Sequence, residues 1–231
     1  LSAYVDTLLA SLLPTGAVTG LANAQVLYTL PVSLFGMSVS AAELPAMSGA
    51  MGIDPNGAET VRSRLNGGLR QIAFFVVPSA MAFIALGDVI AAALLQTGRF
   101  RQSDAVYVWG ILAGSGVGLL PSTLGRLYSS TYYALRDTRT PLRYALVHVA
   151  LATILGYFFA IPLPGWLGIP AIWGAAGLTL AAGIAGWVEM RMLRRTLNSR
   201  IGATGLASGY MLRLWAAAIA AAAAAWTVKL L

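Results

Sequence analysis

The sequence predicts an all-α membrane protein, a polytopic bundle of about seven transmembrane helices, on three observations. Hydrophobic residues make up 58% of the 231 and charged residues 10%, whereas a soluble domain carries about 25% charged residues; the mean hydropathy is +0.75. Apolar runs recur at the length needed to cross a bilayer, about 20 residues rising about 1.5 Å each. The arginines fall between those runs and alternate in density from one connection to the next, as the positive-inside rule requires. The net charge of +7 is therefore a membrane signature, and nucleic acid is not expected as a partner. The absence of cysteine excludes disulfides and thiolate metal sites.

The spans follow in order. The first run, Leu1–Leu13, is short for a crossing, and the chain opens on Leu1 rather than Met, so the sequence reads as part of a longer chain. Pro14-Thr15-Gly16 makes a turn. The second span runs from about Ala17 to Met47 with Pro31 inside it, and a polar segment, Ser48–Asn66, follows. The third is Leu69–Leu95 and ends at a polar loop, Gln96–Asp104; the fourth is Ala105–Leu135. The fifth is Pro141–Ile161, with Thr140 expected as its N-cap and Pro141 as its first residue, where a proline's absent N–H costs nothing. The sixth is Ile169–Met192 and the seventh Tyr210–Leu231.

With Ser48–Asn66 on the cytoplasmic side, eleven arginines lie on cytoplasmic connections and flanks: Arg62, Arg64, Arg70, Arg136, Arg139, Arg143, Arg191, Arg194, Arg195, Arg200 and Arg213. Arg99 and Arg101 lie opposite, and Arg126 and Lys229 fall within spans. Pro31, Pro78 and Pro121 each remove a helix hydrogen bond inside a span. In lipid such a break needs protein or water beside it, which suits either a cavity-lining assembly or ordinary tolerance of proline. Gly110, Gly114 and Gly118, at four-residue spacing, read as a face for close helix packing.

No catalytic constellation is legible. His148 is the sole histidine and reads as a helix-contact residue. Ionisable residues inside spans are costly and so informative. Glu43, Asp88 and Glu189 lie near helix ends, where interfacial solvation accounts for them. Asp6 and Arg126 are deeper; they either face a watery cavity or satisfy each other. An arginine in a cavity suits a pyrophosphate head group, because its fork donates two parallel charge-assisted hydrogen bonds. The second span is unusually polar, with Thr19, Asn23, Gln25, Tyr28, Thr29, Ser33, Ser38 and Ser40. Those residues fit a polar-lined passage, and they also fit interhelical hydrogen bonding.

Several stretches resemble a known family. They are Val5-Asp6-Thr7, Leu9-Ala10-Ser11, Gly16-Ala17-Val18-Thr19, Leu27-Tyr28, Leu30-Pro31, Leu34-Phe35-Gly36, Leu44-Pro45, Tyr133-Ala134-Leu135-Arg136-Asp137-Thr138-Arg139-Thr140-Pro141 and Gly177-Leu178. Together they are similar to the C-terminal half of the lipid II flippase MurJ (MviN) family, in the multidrug/oligosaccharidyl-lipid/polysaccharide exporter superfamily. The resemblance implies two helical lobes around a cationic cavity, of which residues 1–231 form the C-terminal lobe without the N-terminal lobe or the last span. It implies alternating access that moves lipid II, or a related polyprenyl-pyrophosphate-linked glycan, from the cytoplasmic to the periplasmic leaflet of the bacterial inner membrane for peptidoglycan synthesis. The expected partners are that lipid, the membrane lipids and the N-terminal lobe. No cofactor or catalytic metal is expected, and a coupling ion or the membrane potential would drive the cycle.

Site residues follow from the same resemblance. Arg126 matches a tenth-span position that is usually basic, and Thr19 a small hydroxyl position lining the cavity. Asn23, Gln25 and Tyr28, from the polar second span, are added to the candidate substrate face on their polarity alone. The eighth-span position often occupied by arginine is Val26 here. Asp6 matches a seventh-span acid suited to a coupling cation, although Ala152, Gly156 and Ala182 stand where polar co-ligands would be. Asp137, Thr138, Arg139, Thr140 and Pro141 form a structural loop motif. The competing functions are export of another lipid-linked polysaccharide or of drugs, and a membrane subunit that transports nothing.

Overall fold

A computed structural model describes residues 2–53, 56–96 and 100–230. Leu1, Arg99 and Leu231 lie outside the described residues, as do positions 54 and 55 of the expected polar segment. The helices are α1 (Ser2–Ser11), α2 (Ala17–Pro31), a π-helical stretch Val32–Met37, α3 (Ser38–Ile53), α4 (Gly57–Leu95), α5 (Gln102–Ala134), α6 (Arg139–Ala160), α7 (Pro162–Leu167), a 3₁₀ turn Ala171–Trp173, α8 (Gly174–Ile201) and α9 (Ser208–Leu230). Among the described residues six helical stretches are long and apolar enough to cross a membrane. With the short α1 they make up the expected count, and the fold is the all-helical bundle that the composition predicts.

Four expectations need correction. Ser48–Asn66 is not a polar connection. Helix α3 continues to Ile53 and α4 begins at Gly57. The charges there hide a helical period: Val61, Leu65, Leu69 and Ile72 recur every three or four residues and are all buried. The 39 residues of α4 extend about 58 Å at about 1.5 Å each, so the end bearing Glu59, Arg62 and Arg64 projects beyond the hydrocarbon. Likewise α8 runs on to Ile201, past the expected end at Met192. The loop expected at Pro162–Gly168 contains α7, opened by proline at its first position.

The fourth correction concerns the start of α6, which begins at Arg139, ahead of the expected Thr140-Pro141 boundary. Asp137 does the capping: its Oδ1 accepts from the Arg139 and Thr140 backbone N–H groups, each at 3.0 Å. Its Oδ2 accepts the Thr140 hydroxyl at 2.7 Å and meets Arg200 Nη1 at 2.7 Å. These hydrogen bonds, those from Thr140 foremost, hold the Asp137 carboxyl down to about 2. The loop motif thus fastens α6 to the end of α8.

The core is built around α5, with α4 packed on one side of it and a seam with α8 on the other. Gly118 and Gly183 meet backbone to backbone, and a Cβ built on Gly118 would lie 2.6 Å from the Gly183 Cα. A Cβ on Gly110 would enter the Trp173 ring and one on Gly114 would enter Thr179. The packing reading of this glycine face therefore holds. Side chains bond to carbonyl oxygens across the whole seam: Tyr107 to Ile172 at 3.1 Å, Thr179 to Ile111 at 2.9 Å, Trp187 to Val117 at 3.0 Å and Tyr132 to Leu193 at 2.9 Å. The pairs run in the same order along both helices, so α5 and α8 are parallel, as alternating crossings require. Helix α4 packs on α5, with Trp109 Nε1 donating to the Ile84 carbonyl at 2.9 Å. The exposed faces are apolar, as lipid contact demands: Leu142, Leu146 and Ile154 of α6 and Leu212, Ile219 and Val228 of α9 are all turned outward.

Candidate functional site

Between the seam and the continuous span formed by α2, the π-helical stretch and α3 lies an open cavity of about 1370 Å³. Helix α2 presents one face to it. At about 100° per residue, Val18, Leu21, Ala22, Gln25, Val26, Tyr28 and Thr29 share one side of the helix, and all line the cavity. The π-helical stretch that follows Pro31 brings Met37 to the same wall, and Ser40, Ala41 and Leu44 of α3 extend it. A π-turn inserts one residue per turn and re-aims the side chains after it, a device frequent at functional sites. Here the Ser38 hydroxyl satisfies the loosened Ser33 carbonyl at 3.0 Å.

The opposite wall comes from α5, with Ser122, Arg126, Ser129, Ser130 and Tyr133, and from α8 and α6. The Tyr28 hydroxyl and Ser122 Oγ are 2.7 Å apart and join the two walls. Gln25 Nε2 donates to Thr29 Oγ1 at 3.5 Å, and that hydroxyl in turn donates to the Gln25 carbonyl at 2.8 Å. Arg126 is exposed on the cavity side. Its guanidinium makes no ion pair within 4 Å among the described residues, so it does not satisfy Asp6. Asp6 lines the same cavity from α1.

Six of the residues predicted to line a passage or hold an ion are therefore gathered at one cavity: Arg126, Gln25, Tyr28, Thr29, Ser40 and Asp6. Thr19 and Asn23 are not among its lining residues. Their angular positions on α2, about 100° and 140° from Val18, carry them past the edge of the cavity face. A helical-wheel reading centred on Gln25 and Tyr28 would have separated them.

Three acids placed by sequence reasoning at solvated helix ends instead have partners. Glu43 pairs with Arg64 at 3.6 Å, Asp88 with Lys229, and Glu189 Oε2 with His148 Nδ1 at 2.9 Å. The last pair was missed entirely as a site. It joins α6 to α8, and both residues line the cavity. No sequence spacing links positions 148 and 189, so only the packing of the two helices could reveal it.

A bundle of membrane-spanning helices with a polar, arginine-bearing cavity against one wall is the architecture of a polytopic membrane lobe. The family model described as "Lipid II flippase MurJ" matches residues 1–231, and the chain belongs to that family. Among curated relatives, the lipid II flippase MurJ of Burkholderia cenocepacia is 30% identical over 200 residues, 87% of this chain and 36% of that protein. The probable lipid II flippase MurJ of Vibrio cholerae is 27% identical over 193 residues, 84% of this chain and 34% of that protein. The chain thus spans about a third of the length of these relatives. A solved structure, "Lipid II flippase MurJ, inward closed conformation", superposes with a TM-score of 0.82 at 23% identity, covering 98% of this chain and 44% of that one. The fold is one lobe of the exporter architecture, and the protein sits in the bacterial inner membrane as a multi-pass protein.

Proposed function

We propose that this chain is the C-terminal lobe of a flippase that carries lipid II from the cytoplasmic to the periplasmic leaflet by alternating access, acting as a transporter and not as an enzyme. The observation that supports this reading most directly is Arg126. Its guanidinium stands exposed on the wall of a large cavity, with no carboxylate within 4 Å among the described residues to neutralise it. Holding a cation away from its counter-ions inside a membrane is costly. The cost is offset when an anionic substrate arrives, and the arginine fork matches a pyrophosphate in two parallel hydrogen bonds.

Gln25, Tyr28, Ser122 and Ser129 supply neutral hydrogen-bonding groups around that charge, suited to the polar sugar and phosphate oxygens of a lipid-linked glycan. Asp6 on the same cavity is the position proposed for a coupling cation. The partner lobe would close the other side. In cells that depend on the protein carrying this sequence, Arg126→Ala at normal expression abolishes lipid II export in a leaflet-accessibility assay while the protein stays folded. A subunit without a transport role predicts a change in stability alone, and normal export by the variant would remove the proposal.

A further inference from the structure

The cavity wall carries an acid–base pair that the proposed head-group chemistry does not use. His148 of α6 and Glu189 of α8 meet at 2.9 Å between Nδ1 and Oε2, with their side chains 19% and 24% exposed. His148 Nδ1 is buried from solvent, and the carboxylate of Glu189 is the charged group beside it. The imidazole packs toward Gly186, where an added Cβ would stand 3.9 Å from His148 Cε1, next to the Pro121 ring of α5. Arg143 of α6 and Arg191 of α8, both on the expected cytoplasmic flank, lie five and two residues from His148 and Glu189. The pair therefore stands at the cytoplasmic end of its helices and lines the cavity, where ionisable groups mark proton and ion pathways.

We propose that His148 and Glu189 form a proton-binding site whose occupancy sets the charge of the cavity, so that an anionic lipid head group and a proton load together; this role rests on the flippase reading. Without the proton the pair is a neutral imidazole beside a carboxylate, net charge −1. A proton taken up from the cavity makes the imidazole an imidazolium beside the carboxylate and brings the pair to net zero.

The other titratable and charged groups at this cavity are Asp6 from α1, Tyr28 from α2, and Arg126 and Tyr133 from α5. Helices α4 and α7 and the Ala171–Trp173 turn bring none to its wall among the described residues. On the pair's own helices the neighbouring groups are engaged elsewhere: the Tyr144 hydroxyl lies 2.6 Å from Thr196 Oγ1, and Arg191 stacks over the Trp187 ring. In the unprotonated state the pair's −1 opposes the field of Arg126. Protonation removes that opposition and strengthens the cavity's hold on a pyrophosphate. By reciprocity, the pyrophosphate strengthens the hold on the proton. Release of one then promotes release of the other, which gives the transport cycle a proton-linked step.

The test uses the full-length protein that carries this sequence, in lipid nanodiscs with undecaprenyl pyrophosphate as the probe, in weakly buffered solution near neutral pH with an indicator dye. Binding takes up a measurable fraction of a proton per probe, and the near-isosteric neutral variants His148→Gln and Glu189→Gln both abolish the uptake while still binding. ¹⁵N-histidine labelling reports the site, the His148 ring signals being those that His148→Gln removes, and they shift toward the imidazolium pattern when the probe is added. Probe binding with no proton uptake, with uptake unchanged in both variants, or with an unmoved His148 signal overturns this inference alone. No probe binding at all overturns the flippase reading and this inference with it.

Discussion

Helices α5 and α9 cross the same membrane and are held in opposite ways. Half of the most apolar 18-residue window of α5 is buried, against 6% of that of α9. Helix α5 is held by shape: glycines let its backbone touch α8, and four side-chain-to-carbonyl bonds run the length of the contact. Helix α9 is held by separate polar pins on α4. The Tyr210 hydroxyl donates to the Arg70 carbonyl at 3.3 Å, Trp226 Nε1 donates to the Ala85 carbonyl at 2.8 Å, and Lys229 pairs with Asp88. The difference teaches where rigidity is needed. The seam backs the cavity and must keep Arg126, Ser122 and Glu189 in register, whereas α9 contributes no residue to that wall.

The largest effect is expected at the seam. Gly183→Leu forces a side chain into the Gly118 backbone, which cannot move aside, and should cost about 3 kcal/mol or more. The measurement is the denaturant midpoint of the protein in bicelles. A midpoint near wild type would mean that the seam is looser than its contacts indicate.

The α4–α9 pins should respond less. Lys229→Met leaves the Asp88 carboxylate, 13% exposed, without its cation, and should cost about 1 kcal/mol. Adding Asp88→Asn should recover part of the loss, which a double-mutant cycle would read. Equal losses from Lys229→Met and Gly183→Leu would erase the distinction between the two helices.

The smallest effect is a pH dependence at the corner where α5 leads into α6. The Asp137 carboxyl is depressed in the folded state to about 2 from 3.8. Its contribution is therefore complete above the unfolded value and is lost as pH falls from about 4 toward about 2. Hydrogen exchange at the Arg139 and Thr140 amides should accelerate across that window in the native protein. In Asp137→Ala it should already be fast above it, with no further acid step of this origin.

Much of this was legible from residues alone. The apolar runs located the spans, because a bilayer admits few solutions for an oily chain, and the alternation of arginines predicts the direction of each crossing. The Gly110, Gly114 and Gly118 spacing foretold a packing face, and Arg126 stood out as a charge deep within a span. Legibility failed where the helical period ran beneath a polar composition, as in Gly57–Asn66. It failed again where chemistry joined distant positions, as in Glu189 with His148 and Asp88 with Lys229. The solvated-end reading of those acids rested on their distance from a helix end, which says nothing about what the neighbouring helix presents.

By itself the sequence determined that this chain crosses a membrane, how often, which ends carry the positive charge and which family it resembles, because hydropathy and charge act on each segment separately. Only the tertiary structure decided which face of α2 meets the cavity, leaving Thr19 and Asn23 off it, and that a histidine and a glutamate forty-one positions apart share one site. Those facts depend on the rotation and partner of each helix, which are set by packing between segments.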